Sequence, residues 1–282
     1  MNARTAPTPA AQFDSPSVAE HRIEHPHGAL FARSWTPREV DAAASPIVLV
    51  HDSLGCVELW RDFPAQLAAA SARRVIAYDR LGFGRSAPRI GRPAASFVAD
   101  EAEVVPWLQD QLGFQRFVAF GHSVGGGIAV HWAARHPGAC EALITESAQA
   151  FVEARTRQGI EAAREQFADP TQFARLQRYH GERAAWVLDA WVGIWLDPAF
   201  AGWSLREVLP AVRCPLLAIH GAADEFGSVQ QPRTLLEHCG GPARMALLDG
   251  VGHVPHRECA AQVLEQVVAQ LAPAAAGRRA QP

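Results

Sequence analysis

Short apolar runs rich in Val, Ile and Leu alternate with helix-length stretches along most of this 282-residue chain, and no other feature restricts its fold as much. The runs are 46–50, 74–78, 117–120, 142–145, 215–219 and 245–248. Each is too short for a helix and too uniformly apolar for a strand with one wet face, so each reads as a strand buried on both faces. Between them, 57–72, 97–112, 126–136, 231–238 and 257–271 read as helices; in the first, Leu59, Phe63, Leu67 and Ala70 fall at helical spacing. Strands joined by helices form a parallel sheet, because a parallel crossover needs a dozen or more residues and a helix supplies them. Two further runs, 18–25 and 29–35, flank Pro26-His27-Gly28 and predict a hairpin. The expected fold class is α/β, a mostly parallel eight-stranded sheet with helices on both faces.

The rhythm breaks once. From 148 to 212 the pattern is helical only and rich in aromatic residues, which predicts a helical cap inserted into a core made of 18–147 and 213–272. Such a cap would lie over the carboxyl ends of the strands, where ligands bind in sheets of this kind. Residues 1–17, rich in Ala, Pro and Thr, and 273–282 carry no periodicity and are expected to form a flexible arm and tail.

Composition closes off several functions. With 26 basic against 29 acidic residues, a net charge of −3, a nucleic-acid partner is not expected. No apolar run approaches the roughly 18 residues of a membrane helix, so no membrane partner is expected either. The five cysteines, Cys56, Cys140, Cys214, Cys239 and Cys259, are odd in number, scattered and without C-x-x-C, which argues against a disulfide framework or a zinc ribbon. The first 16 residues lack the apolar stretch of a secretory leader, and the expected compartment is the reducing cytoplasm. Neither a cofactor nor a metal is expected. The oligomeric state stays open, with a homodimer among the options.

Chemistry is concentrated at Gly121-His122-Ser123-Val124-Gly125, between a strand and a helix. In this G-x-S-x-G setting the serine sits on a sharp, strained turn that pushes its hydroxyl out of the sheet edge, and the flanking glycines let strand and helix cross closely. The turn directs the Val124 N–H at the place where an oxyanion would form, and the helix N-terminus adds positive potential there. A serine needs a base, and the base needs an orienting acid. Strand 215–219 leads into His220-Gly221-Ala222-Ala223-Asp224, and strand 245–248 into Asp249-Gly250-Val251-Gly252-His253. Asp224 and His253 thus stand on loops at the same sheet edge as Ser123, in the order Ser, Asp, His.

From about residue 18 to 271 the chain resembles the α/β-hydrolases. The resemblance rests on the elbow at 121–125, on Asp79-Arg80-Leu81-Gly82-Phe83-Gly84-Arg85-Ser86, on His220-Gly221 with Asp224, and on Gly252-His253. It implies Ser123 as nucleophile, His253 as general base then acid, and Asp224 as orienting carboxylate. Glu146, after the strand ending at Thr145, is a rival acid, since some members take the carboxylate from there. One departure stands out. Where the family carries His-Gly, this chain has His51-Asp52-Ser53-Leu54-Gly55. By alignment the second oxyanion donor is Ser53 N–H, with Leu54 as its neighbour candidate, and the Asp52 carboxylate is expected to point away.

The substrate is less legible. Four tryptophans, Trp186, Trp191, Trp195 and Trp203, fall in the insertion, and Trp191 and Trp195 share a helix face. They either pack the cap on the core or, with Phe151, Phe167 or Phe200, line an apolar pocket. Leu54, His122, Phe151, Trp191 and Trp195 are the expected substrate contacts. The segment 179–224 is similar to valacyclovir-hydrolase-like members, which cleave esters of small amino acids; meta-cleavage-product hydrolases, which break C–C bonds, have a similar size and cap. With serine at 123, the aspartate nucleophile of epoxide hydrolases and haloalkane dehalogenases is absent. The expected function is hydrolysis of a small or medium carboxylic ester. C–C hydrolysis and a non-catalytic ligand-binding role remain as alternatives.

Overall fold

In the computed structural model, which describes residues 15–41 and 43–272, the apolar runs pair into one sheet. Its strands are β1 (Ser17–Ile23), β2 (Leu30–Thr36), β3 (Ile47–Val50), β4 (Val75–Tyr78), β5 (Phe117–His122), β6 (Cys140–Glu146), β7 (Leu216–Gly221) and β8 (Ala243–Leu248). They stand in the order β1-β2-β4-β3-β5-β6-β7-β8. The hairpin β1–β2 and the β2–β4 pair are antiparallel, and every other neighbour pair is parallel. Every residue of β3, β4, β5 and β7 is buried, as their unbroken apolar runs require.

Alternation along each strand feeds two separate cores. Val48, Val50, Ile76 and Ala119 point to one face, and Ile47, Leu49, Ala77 and Val118 to the other. The connecting helices are α1 (Phe63–Ser71), α2 (Phe97–Asp100), α3 (Val105–Leu112) and α4 (Val124–Arg135). Next come α5 (Ala154–Gln166), α6 (Pro170–His180) and α7 (Ala184–Trp195), all between β6 and β7. The chain closes with α8 (Gln230–His238), α9 (Pro255–Glu258) and α10 (Ala260–Leu271). None of the described helices is long and apolar enough to cross a membrane.

Three long helices expected from periodicity are each broken. The 57–72 stretch is a 3-10 turn at Val57–Trp60, then α1, with Arg61 between them at φ 52° and Pro64 in the new first turn. The 97–112 stretch passes through a 3-10 turn at Glu101–Val104 before Pro106, whose ring and missing N–H favour a helix start over a helix interior. The 257–271 stretch breaks at Cys259, whose φ of −147° and ψ of 51° are not helical. The expected arm and tail fall mainly on residues 1–14 and 273–282, outside the described residues; Ser17, assigned to the arm, already pairs with Thr36 in β1.

Parallel strands run their carboxyl ends to one edge. The loops after β3, β4, β5, β6, β7 and β8 therefore all open there, with α5–α7 inserted after β6.

Candidate active site

The turn from β5 into α4 holds Ser123 at φ 56° and ψ −126°, a backbone that L-residues rarely adopt. The crossing is tight. A Cβ on Gly121 would collide with the Gly125 carbonyl, and one on Gly125 with the Val50 carbonyl of β3. Ser123 N–H is tied to the Glu146 carbonyl at 2.8 Å. Its hydroxyl donates to Gln149 Oε1 at 3.2 Å, and among the described residues no hydrogen bond joins it to His253. The helix begins at Val124, two residues earlier than its periodicity indicates, because the turn is completed by Ser123 alone.

The loops after β7 and β8 bring Asp224 and His253 together. Both carboxylate oxygens of Asp224 lie within 3.0 Å of His253 Nδ1, and Oδ1 also accepts from the amides of Phe226 (2.7 Å) and Gly227 (3.0 Å). Burial of Asp224 favours its neutral acid, but the His253 hydrogen bond and charge outweigh it and hold the pKa below the usual carboxylate value. Burial likewise disfavours a charged His253, yet the same bond raises its pKa above the ordinary histidine value. With Nδ1 donating to the carboxylate, Nε2 is left as an acceptor.

The rival acid has a partner of its own. Glu146, fully buried, accepts from His256 N–H and from His256 Nδ1, both at 2.6 Å. His122 sits beside this pair, and its Nε2–H donates to the His253 carbonyl at 2.8 Å. Burial depresses the His122 pKa to about 4, so the ring is neutral. Nitrogen and oxygen ligand atoms of His122, Glu146 and His256 lie within 4.8 Å of one another, the only such metal-ligand grouping among the described residues. These atoms are engaged with one another and with the loop carrying His253, which gives the cluster a bracing role under that loop.

On the loop after β3, the Asp52 carbonyl accepts from His51 Nδ1 (2.8 Å) and from the Arg80 guanidinium (2.8 Å). The Asp52 carboxylate packs on Gly55, with one oxygen 3.9 Å from His122 Nδ1. Asp52 nevertheless contributes to the wall of the cleft described below, so it is not turned wholly away from it. The 79–86 loop is framework. Asp79 accepts from the amides of Val57 (2.6 Å) and Arg85 (2.7 Å), and Ser86 Oγ links the Asp79 carbonyl to the Phe31 amide.

A cleft of about 300 Å³ lies between the sheet edge and the inserted helices. Ser123, His253, Ser53, Leu54, Trp191 and Trp195 are all on its walls. Two expected contacts are not. His122 lies behind His253, held there by the bond just described. Phe151 forms a bridge with Ser204 and lies under the Arg206 guanidinium, because the chain leaves β6 along the sheet before it turns up into α5. Phe167, which the sequence also offers, does line the cleft, and Gln149 and Phe226 join it. Gln149 has no motif around it; its only signal is its place three residues past β6. The tryptophans divide between the two roles. Trp195 packs against Phe200 and Trp203 and reaches the cleft at the same time, while Trp186 stacks edge-on against Phe83.

The profile of the alpha/beta hydrolase fold matches residues 45–258. The dihydrolipoyllysine-residue acetyltransferase component of the acetoin cleaving system of Pseudomonas putida is 30% identical over 249 residues, 80% of this chain, which spans only 63% of that relative's length. The serine hydrolase BPHL of Mus musculus is 28% identical over 202 residues, 69% of each chain. Among solved structures, a bacterial membrane phospholipase A superposes with a TM-score of 0.73 at 22% identity, over 90% of this chain and 86% of that one. A strained serine between a strand and a helix, and a buried acid–histidine pair on the loops after the last two strands, agree with that match: the chain belongs to the alpha/beta hydrolase fold family.

Proposed function

We propose that this protein is a serine hydrolase acting on a small or medium carboxylic ester. The observation that carries the reading is the buried Asp224–His253 pair opening onto the same cleft as Ser123. The hydroxyl first turns about its Cα–Cβ bond from Gln149 to His253 Nε2; such bonds are often loose until substrate binds. Ser123 Oγ then bonds to the ester carbonyl carbon as its proton passes to His253. Asp224 keeps the ring oriented and stabilises its charge. The amides of Val124 and Ser53 face the developing oxyanion, with the helix N-terminus behind them. The intermediate collapses, the bond to the alcohol oxygen breaks, and the histidine proton leaves with the alcohol. Water, deprotonated by His253, attacks the acyl-enzyme and releases the acid, and the proton returns to Ser123.

The helices α5–α7 act as the cap, and their aromatic side chains set the size of the acyl group. At about 300 Å³ the cleft lies at the small end of ligand sites. Fluorophosphonate is expected to label the wild-type protein and not Ser123→Ala, with p-nitrophenyl esters of short acids turned over by the first alone. Folded wild-type protein that resists the label and hydrolyses none of the esters would reject the reading.

A further inference from the structure

Gln149 has one half of its carboxamide committed and the other half open. The residue is only 3% exposed. Its Oε1 accepts the Ser123 hydroxyl at 3.2 Å, while its Nε2, with two N–H groups, has no hydrogen-bond partner among the described residues. That nitrogen is not sealed inside the core, and the side on which Gln149 meets solvent is the wall of the cleft. The backbone on either side is pinned: Ser147 N–H donates to the Ile219 carbonyl at 2.9 Å, and the Ala150 amide to Gln231 Oε1 at 2.7 Å. An unpaired amide on a side chain otherwise buried carries a penalty that a polar group in the cleft would remove.

Acylation undoes the one bond that Gln149 makes. Once Ser123 Oγ bears an acyl group it has no proton to give, and Oε1 faces an ester oxygen with no donor between them. Both ends of the carboxamide are then unpaired, beside the bond that must break. A hydrolytic water has two protons and two lone pairs. One proton is taken by His253 Nε2, and one lone pair forms the bond to the acyl carbon; the other proton and lone pair match Oε1 and Nε2–H. Sheet order supports this placement. The loop after β3, with the Ser53 amide, flanks β5 on one side, and the loops after β6 and β8, with Gln149 and His253, lie on the other. We propose that Gln149 is a catalytic residue of the second half-reaction, holding the water that hydrolyses the acyl-enzyme. The water oxygen bonds to the acyl carbon. Its proton passes to His253 and then to Ser123 Oγ as the bond from Oγ to the acyl carbon breaks, and the carboxylic acid leaves. This rests on the serine hydrolase reading.

The test follows p-nitrophenyl butyrate by rapid mixing, with active sites counted by fluorophosphonate titration. Gln149→Met keeps the length of the side chain and removes both hydrogen-bonding groups. It is expected to form the acyl-enzyme as fast as the wild type or faster, because nothing then holds the serine hydroxyl away from His253. Breakdown of that acyl-enzyme is expected to fall about tenfold or more below wild-type turnover. p-Nitrophenol then appears in a burst, and acid-quenched protein carries the butyryl group in its mass. Gln149→Asn, which keeps the amide but withdraws it by one methylene, is expected to slow the same step and reads the proposal if the methionine variant fails to fold. A merely structural role would not move the two half-reactions apart. Breakdown unchanged in the variants, or both half-reactions slowed alike, overturns the water site and leaves the hydrolase reading standing. Wild-type protein that takes no fluorophosphonate and releases no p-nitrophenol overturns the hydrolase reading and this proposal with it.

Discussion

Asp224 and His253 move each other's protonation in opposite directions, and this sets two different pH dependences. The folded pKa of His253 lies above 6.5, so its share of stability is complete below 6.5 and is lost as pH rises through the raised value. That of Asp224 lies below 3.8, so its share is complete above 3.8 and is lost as pH falls through the lowered value. The pair stabilises the fold most between those two reference values, whereas a general base must be neutral. A plot of kcat/KM against pH is therefore expected to rise along an acid limb with its midpoint above 6.5. In Asp224→Asn, burial acts on the imidazole against only the weaker charges of Glu225 and Asp52, and the midpoint of residual activity moves down. A wild-type midpoint at or under 6.5 would contradict the pairing. Glu146 makes the complementary case. Glu146→Gln weakens two buried hydrogen bonds to His256, and is expected to lower stability by about 1–3 kcal/mol in urea unfolding. Its folded fraction should still take the fluorophosphonate label at the wild-type rate, whereas loss of a triad acid would slow labelling by orders of magnitude. Both carboxylates follow parallel strands; the His-Gly-x-x-Asp setting already favours Asp224, and the contacts of Asp224 with His253 and of Glu146 with His256 separate the two.

The crossing of β5, α4 and β3 is the element on which the proposed nucleophile, Ser123, depends. Every residue of β3 is buried, so its Val50 carbonyl has no direction in which to give way. Gly125→Ala is expected to cost about 3 kcal/mol through overpacking, seen as a lower urea midpoint and as lost labelling. Gly138, with open space around it, is the control, and its alanine variant should fall within about 0.5 kcal/mol of wild type. The existence and kind of these elements were readable because strand and helix periods are local. Their ends were not. The break before Pro106 and the non-helical Cys259 interrupt helices whose apolar spacing runs on without a gap.

Across the whole molecule, burial divides the thiols. Cys56, Cys140 and Cys214 lie inside, and Cys239 and Cys259 are half-buried. Burial raises the Cys56 pKa to about 12, which leaves almost no thiolate to react. A thiol reagent applied to the native protein is expected to titrate two groups slowly, and the remaining three only at the rate of global unfolding. Early reaction of a third thiol would mean that one of the two cores opens on its own. The order of residues by itself determined the α/β architecture and the chemistry at one edge. Alternation of strand and helix makes the sheet parallel, a parallel sheet collects its loops at one edge, and Ser123, Asp224 and His253 each follow a strand. Only the tertiary structure decided that Glu146 serves His256 and that Gln149 holds the serine hydroxyl. It also decided that Phe151 lies outside the cleft. Those outcomes depend on contacts between side chains 26 to 110 positions apart, set by how the segments that follow the parallel strands pack together at one sheet edge, and no local propensity encodes them.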